Sequence, residues 1–220
     1  MTEILIHALS KDFGSLFKSG DYCDFNIKVG EDGHFTAHSL ILRTRSSFFR
    51  EKLRHNPITN LSLPEIKPTV FKSILKYIYT GRIDISNYDV DHILSILKFS
   101  DELGLADLCD YLQKYFINSE ELTIKNFNSV QRIAQKNNHF KKLNGYCLLL
   151  FKKNPSIIFN AVDFLSFEYH ELYYYYSNFY ELYKPDELWD NLLKWGNEFS
   201  ELFELYRNFR KDYKRIYRIY

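Results

Sequence analysis

Glycine and proline are scarce in this 220-residue chain, eight and five respectively, and cysteine is scarcer still at three. So few cysteines, at Cys23, Cys109 and Cys147, exclude a disulfide-dense scaffold, and no Cys-x-x-Cys or Cys/His spacing suggests a structural zinc. With no leader-like N-terminus, the expected setting is a reducing compartment, cytoplasmic or nuclear. No apolar run reaches the roughly 18 residues that cross a bilayer, so no membrane partner is expected.

Net charge is almost absent too, at +1. Residues 1–118 carry 14 basic and 15 acidic side chains, 119–200 carry 9 and 10, and 201–220 carry 6 and 3. No global basic field therefore calls for nucleic acid, and only the tail is asymmetric. The glycine-rich phosphate loops, the Gly-x-Ser-x-Gly elbow and the His-Glu-x-x-His pair are all missing, and no spacing joins a nucleophile to a base. The chain is expected to be no enzyme and to use no cofactor.

What is present is aromatic. Tyr and Phe number 18 and 19 against two Trp, which fits aromatic-rich helix packing. Met1–Ser19 has helical apolar spacing through Ile4, Leu5, Ala8, Leu9 and Phe13. Asp24–Val29 alternates with Phe25, Ile27 and Val29 on one face, so it predicts a strand. Gly30–Gly33 is a hairpin turn, and Phe35–Ala37 the return. Short helices are expected over His38–Arg43 and, capped by Ser46 or Ser47, through Leu53. Leu61–Leu63 predicts a short strand. Pro68 opens a helix that Gly81 stops, Ile83 and Ile85 fit an edge strand, and helices follow over Val90–Leu103 and Leu105–Phe116.

Past about residue 118 no strand pattern survives. Ile124–Gln135, Lys141–Lys152, a series after Pro155 and Asp186–Phe199 all predict helices. The expectation is an α+β domain over 1–118, a small mixed sheet flanked by helices, then an all-α region over 119–200 and a basic amphipathic segment over 201–220. That tail sets Leu202, Leu205, Phe209, Tyr213, Ile216 and Tyr220 on one face, with six cations around them. Its expected role is a helix closing on its predecessors; a lipid, calmodulin-like or nucleic-acid contact is the alternative.

Four segments in order resemble BTB/POZ domains: Asp21–Ile27; Phe35–Leu42 with Arg45–Phe49; Phe71–Gly81; and Leu97–Leu112. Past residue 118, Leu122–Ala134, Gly145–Phe151 and Glu187–Gly196 are similar to the BACK helical region of kelch-like BTB proteins. The resemblance implies a BTB/POZ fold followed by a BACK-type region. It also implies a homodimer that works as a non-catalytic adaptor. In many members the partner is a cullin-type ubiquitin ligase scaffold, and a downstream domain holds an unknown protein substrate. About 20 residues follow Gly196, so a fragment or truncated member is expected. The alternative is a BTB oligomerisation or transcription-linked scaffold that binds no cullin.

The signature positions that the resemblance carries are Asp24, His38, Phe48, Tyr79 and Gly81. It places Ile4, Leu5, Ala8, Leu9 and Phe13 across a two-fold axis. Asp24 is either part of a charged groove or a structural carboxylate that ties the strand to a helix. Many members carry a basic residue after the His; Ser39 stands there, which argues against corepressor peptides in that groove. Phe49, Lys52, Leu53 and Tyr88 are the candidate cullin-facing contacts, although Phe49 and Leu53 equally fit a core and Lys52 a solvated site. The hydrophobic-x-Glu element of cullin-binding members is missing from Arg50–Pro57. His34, His38 and Cys23 lie close in sequence, but their spacing crosses a strand and its exit and no fourth ligand is near, so no metal is expected.

Overall fold

The computed structural model describes residues 2–54 and 58–179, together with Leu182, Asp190, Asn191, Lys194 and Trp195. The 201–220 segment and most of Asp186–Phe199 lie outside the described residues. The chain divides into two compact units, residues 1–115 and 116–220.

In the first unit, α1 (Thr2–Ser19) precedes strands β1 (Phe25–Val29) and β2 (Gly33–Ala37). Helices α2 (Ser39–Arg45) and α3 (Ser47–Lys52) follow, then β3 (Asn60–Leu63), α4 (Pro68–Thr80), α5 (Val90–Glu102) and α6 (Ala106–Asn118). The sheet has the order β2-β1-β3; β1 pairs antiparallel with β2 and parallel with β3, so it is mixed. Alternation sets its faces. Phe25, Ile27 and Val29 are buried while Asn26 and Lys28 are exposed. Gly33 is required by close approach: a Cβ there would lie 2.6 Å from the Val29 carbonyl.

The core of this unit centres on α4. Val70, Phe71, Ile74, Leu75 and Ile78 are each at most 1% exposed. At about 1.5–3 kcal/mol per fully buried side chain, this one face is a main source of the unit's stability. Pro68 occupies its first turn, where no intrahelical N–H bond is lost. Gly81 ends it in the left-handed region at φ +66, donating its N–H to Tyr77 O at 2.8 Å. Ser46 caps α3 by accepting from Phe49 N, and its hydroxyl donates to Leu103 O.

Two expectations need correction. The alternation at Ile83 and Ile85 forms no strand. Asp84 accepts hydrogen bonds from both the Ser86 amide and its hydroxyl, which turns the backbone locally and leaves no ladder. Ile85 is nevertheless buried. The helix expected over Ile124–Gln135 is two helices, α7 (Glu120–Lys125) and α8 (Phe127–Lys136). Asn126 breaks it, with ψ at 36 and its side-chain amide bonded to Leu122 O.

The second unit continues with α9 (Lys141–Lys153), α10 (Ile157–Asn160) and α11 (Tyr169–Phe179), with single 3-10 turns at Asn138–Phe140 and Phe164–Ser166. Its core is aromatic: Phe127, Phe140 and Phe151 are fully buried, and Phe159, Phe164 and Phe167 nearly so. Trp195, 1% exposed, donates its Nε1–H to Phe167 O at 3.0 Å.

Candidate functional site

Asp24, His38 and Tyr79 lie where β1, β2 and α4 converge, Gly81 ends α4, and Phe48 stands apart on α3. Ser39 is the first residue of α2, and its N-cap, His38, makes no side-chain cap of its own. Asp24 supplies one from the strand. Its Oδ1 accepts from Ser39 N at 2.7 Å and its Oδ2 from Ser39 Oγ at 2.6 Å. One orphan helix donor is met, and a negative charge stands at a helix N-terminus. Burial pushes the Asp24 carboxyl up, but the two Ser39 bonds, with smaller help from its own backbone amide and from His38, hold the group below its ordinary value.

His38 is held on both ring nitrogens. Nε2 lies 2.7 Å from Asp21 O, and Nδ1 lies 2.6 Å from Tyr79 Oη. Tyr79 Oη also accepts from the His38 backbone N–H at 2.9 Å. The pattern suits the tautomer with its proton on Nε2, the tyrosine donating to Nδ1. Tyr79 is 6% exposed, and burial pushes its hydroxyl up to about 12. Cys23 Sγ sits 3.8 Å from Nδ1, at the edge of contact. His34 is exposed on β2. Among the described residues no group of three or more His, Cys, Asp or Glu could hold a metal ion.

Helix α1 packs against α4. Ser10 Oγ donates to Thr80 O at 2.7 Å, and the Phe17 and Tyr79 rings lie 5.4 Å apart. Phe13 is half-buried. Ala8 is exposed, Leu9 is 58% exposed, and so is Ile6 at 62%. The side chains of Ile4 and Leu5 lie outside the described residues.

The four cullin-facing candidates do not share a surface. Phe49 is 0% exposed and Leu53 9%, so both belong to the core. Phe49 meets Phe25 edge-on at 6.4 Å, which pins α3 to the sheet. The expectation that these two side chains touch a partner is corrected accordingly. Lys52 is exposed, with its ammonium 5.7 Å from the centre of the half-buried Phe48 ring. Tyr88 is 37% exposed, stacks on His92 at 4.2 Å and shares a 2.8 Å hydrogen bond with Ser73.

The second unit holds an ion pair that no spacing announced. Arg132 Nε donates to Glu171 Oε1 at 2.6 Å and Nη2 to Oε2 at 2.7 Å, and Nη2 also donates to Ser166 O. Burial raises the Glu171 carboxyl, but the Arg132 bonds and the Glu168 amide outweigh it and hold it below its ordinary value.

Comparison with known proteins follows the same outline. The family model described as BTB/POZ domain matches residues 13–120. The BTB/POZ domain-containing protein 9 of Mus musculus is 28% identical over 166 residues, covering 73% of this chain and 26% of that protein. The GDNF-inducible zinc finger protein 1 of Rattus norvegicus is 30% identical over 122 residues, 52% of this chain and 17% of that one. The solved BTB domain of human gigaxonin is 26% identical with a TM-score of 0.42, covering 48% of this chain and 88% of that one. The chain thus spans about a quarter of the length of the first curated relatives it matches. No helix among the described residues is long and apolar enough to cross a membrane. Residues 13–120, just under half of the chain, match the BTB/POZ domain, and the small mixed sheet flanked by helices in this stretch agrees with that fold.

Proposed function

We propose that the chain is a non-catalytic adaptor that homodimerises through its BTB domain and links a protein substrate to a cullin-type ubiquitin ligase. The carrying observation is an exposed apolar pair on α1. The helix packs on α4 through Ser10 and Phe17, while Ile6 and Leu9, nearer its start, are 62% and 58% exposed. Apolar side chains in solvent on one helix are covered economically by a second copy of the same helix. Residues 119–200 then act as a BACK-type helical spacer.

The cullin step rests on Lys52 of α3 and Tyr88, just before α5, as the two candidates that are exposed. The burial of Phe49 and Leu53 favours a second reading, a BTB scaffold that oligomerises without cullin binding. Titration of the chain with a cullin N-terminal domain on a size-exclusion column separates them. A stable complex that Lys52→Glu weakens supports the ligase adaptor. A chain that elutes unchanged leaves the scaffold reading. Deleting residues 1–18 is expected to give a monomer or an aggregate under either.

A further inference from the structure

Helix α9 turns a face to solvent that its own packing does not explain. Its inner side is made by Leu143, Cys147, Leu150 and Phe151, all buried. The opposite side runs through Lys142, Gly145, Leu149 and Lys152, all exposed, at spacings that form one stripe along a helix. Leu149, in the middle of the stripe, is 68% exposed. Gly145 lies one turn earlier, and a Cβ added there meets nothing within 4 Å. Glycine inside a helix is less favourable than alanine, and no close approach among the described residues requires it here.

Charge narrows what the stripe suits. Helix α9 carries four lysines, Lys141, Lys142, Lys152 and Lys153, and no carboxylate. All four are exposed. Lys152 and Lys153 suit the negative end of the helix dipole. Lys141 and Lys142 stand in the first turn, where the dipole favours acids and opposes cations. The first turn is thus cationic against the helix's own preference. Glu120 stands on one flank, where it accepts from Tyr146 Oη at 3.2 Å.

We propose that this stripe docks an acidic amphipathic helix of a partner protein. An apolar side chain of that helix sits over Gly145 against Leu149, and acidic side chains meet the lysines at both ends. The bare glycine lets two helices approach closely, and the charge selects an acidic partner. An anionic membrane would use the same lysines, but it needs protruding apolar side chains, and the stripe offers one leucine beside a dent. The face lies on the second unit and requires neither dimerisation nor cullin binding.

The test is fluorescence anisotropy of the full chain with a labelled peptide amide of about 21 residues, three repeats of Glu-Leu-Ala-Gln-Glu-Leu-Ala, long enough to form a helix. Saturable binding is expected with Kd below about 1 mM. Gly145→Leu fills the dent and is expected to weaken binding about tenfold. The space around Gly145 is open, so the variant keeps its fold, which circular dichroism checks. Lys152→Glu with Lys153→Glu reverses one end of the stripe, with a similar loss. A peptide with lysine in place of every glutamate is expected not to bind. No saturation, equal affinity for the lysine peptide, or indifference to Gly145→Leu would each overturn the proposal. Binding to phosphatidylserine vesicles without binding to the acidic peptide would overturn it too, and would assign the face to a membrane surface.

Discussion

Tyr79 clasps His38 twice, accepting the backbone N–H and bonding the ring Nδ1 from 41 residues away. The clasp ties the end of β2 to the end of α4. Tyr79→Phe keeps the ring and its contact with Phe17 but strips the His38 backbone N–H of its partner and leaves Nδ1 only the Cys23 thiol at 3.8 Å. The expected loss is about 1–2 kcal/mol of unfolding free energy. Urea denaturation checks it; an unchanged midpoint would contradict the clasp.

Asp24 makes the fold acid-sensitive at a defined place. Its folded value is depressed, so it contributes stability above its unfolded pKa of about 3.9 and loses it as pH falls through the lower folded value. Asp24→Asn, which keeps one acceptor, is expected to cost about 0.5–1 kcal/mol at neutral pH, the low end for a cap because the group is largely exposed. The gap between wild type and variant should close below about pH 4. A gap that stays constant to pH 2 would assign the effect to shape rather than charge.

How much of this was legible in the sequence depended on range. The sheet's first two strands followed from alternation around a glycine turn, and α4 from its own ends, Pro68 and Gly81. Ile83 and Ile85 misled because period-two spacing says nothing of a neighbouring Asp84 that satisfies the backbone itself. Asn126 misled in the opposite direction, since apolar periodicity continued across a break made by its side chain. The burial of Phe49 was undecidable locally, because its edge-on partner Phe25 is 24 positions earlier. The Arg132–Glu171 pair was out of reach for the same reason.

That pair carries a prediction of its own. Arg132 and Glu171 side chains are 27% and 16% exposed, so breaking the pair leaves a half-buried charge unmatched. Arg132→Met or Glu171→Met is expected to cost about 1–3 kcal/mol, below the range for fully buried pairs because solvent screens part of it. The double variant should cost less than the two single losses added together. Thermal unfolding of the four proteins measures this, and strict additivity would mean that the pair has no coupling.

The three cysteines should differ in reactivity. Burial pushes the thiols of Cys109 and Cys147 up to about 12, whereas Cys23 is half-buried beside His38. At pH 7.5 the folded chain is expected to react quickly with one equivalent of a thiol-directed disulfide reagent, and with three after denaturation. Rapid reaction of two or three thiols in the folded protein would contradict the packing of α6 and α9.

The central claim is that the outer face of α1 joins two copies of the chain. Light scattering behind a size-exclusion column tests it most directly, on the wild type and on a variant carrying both Ile6→Asp and Leu9→Asp. The account predicts a wild-type mass of twice the 26.4 kDa chain, and a folded monomer for the variant. A monomeric wild type, or a variant that remains a dimer, would contradict it.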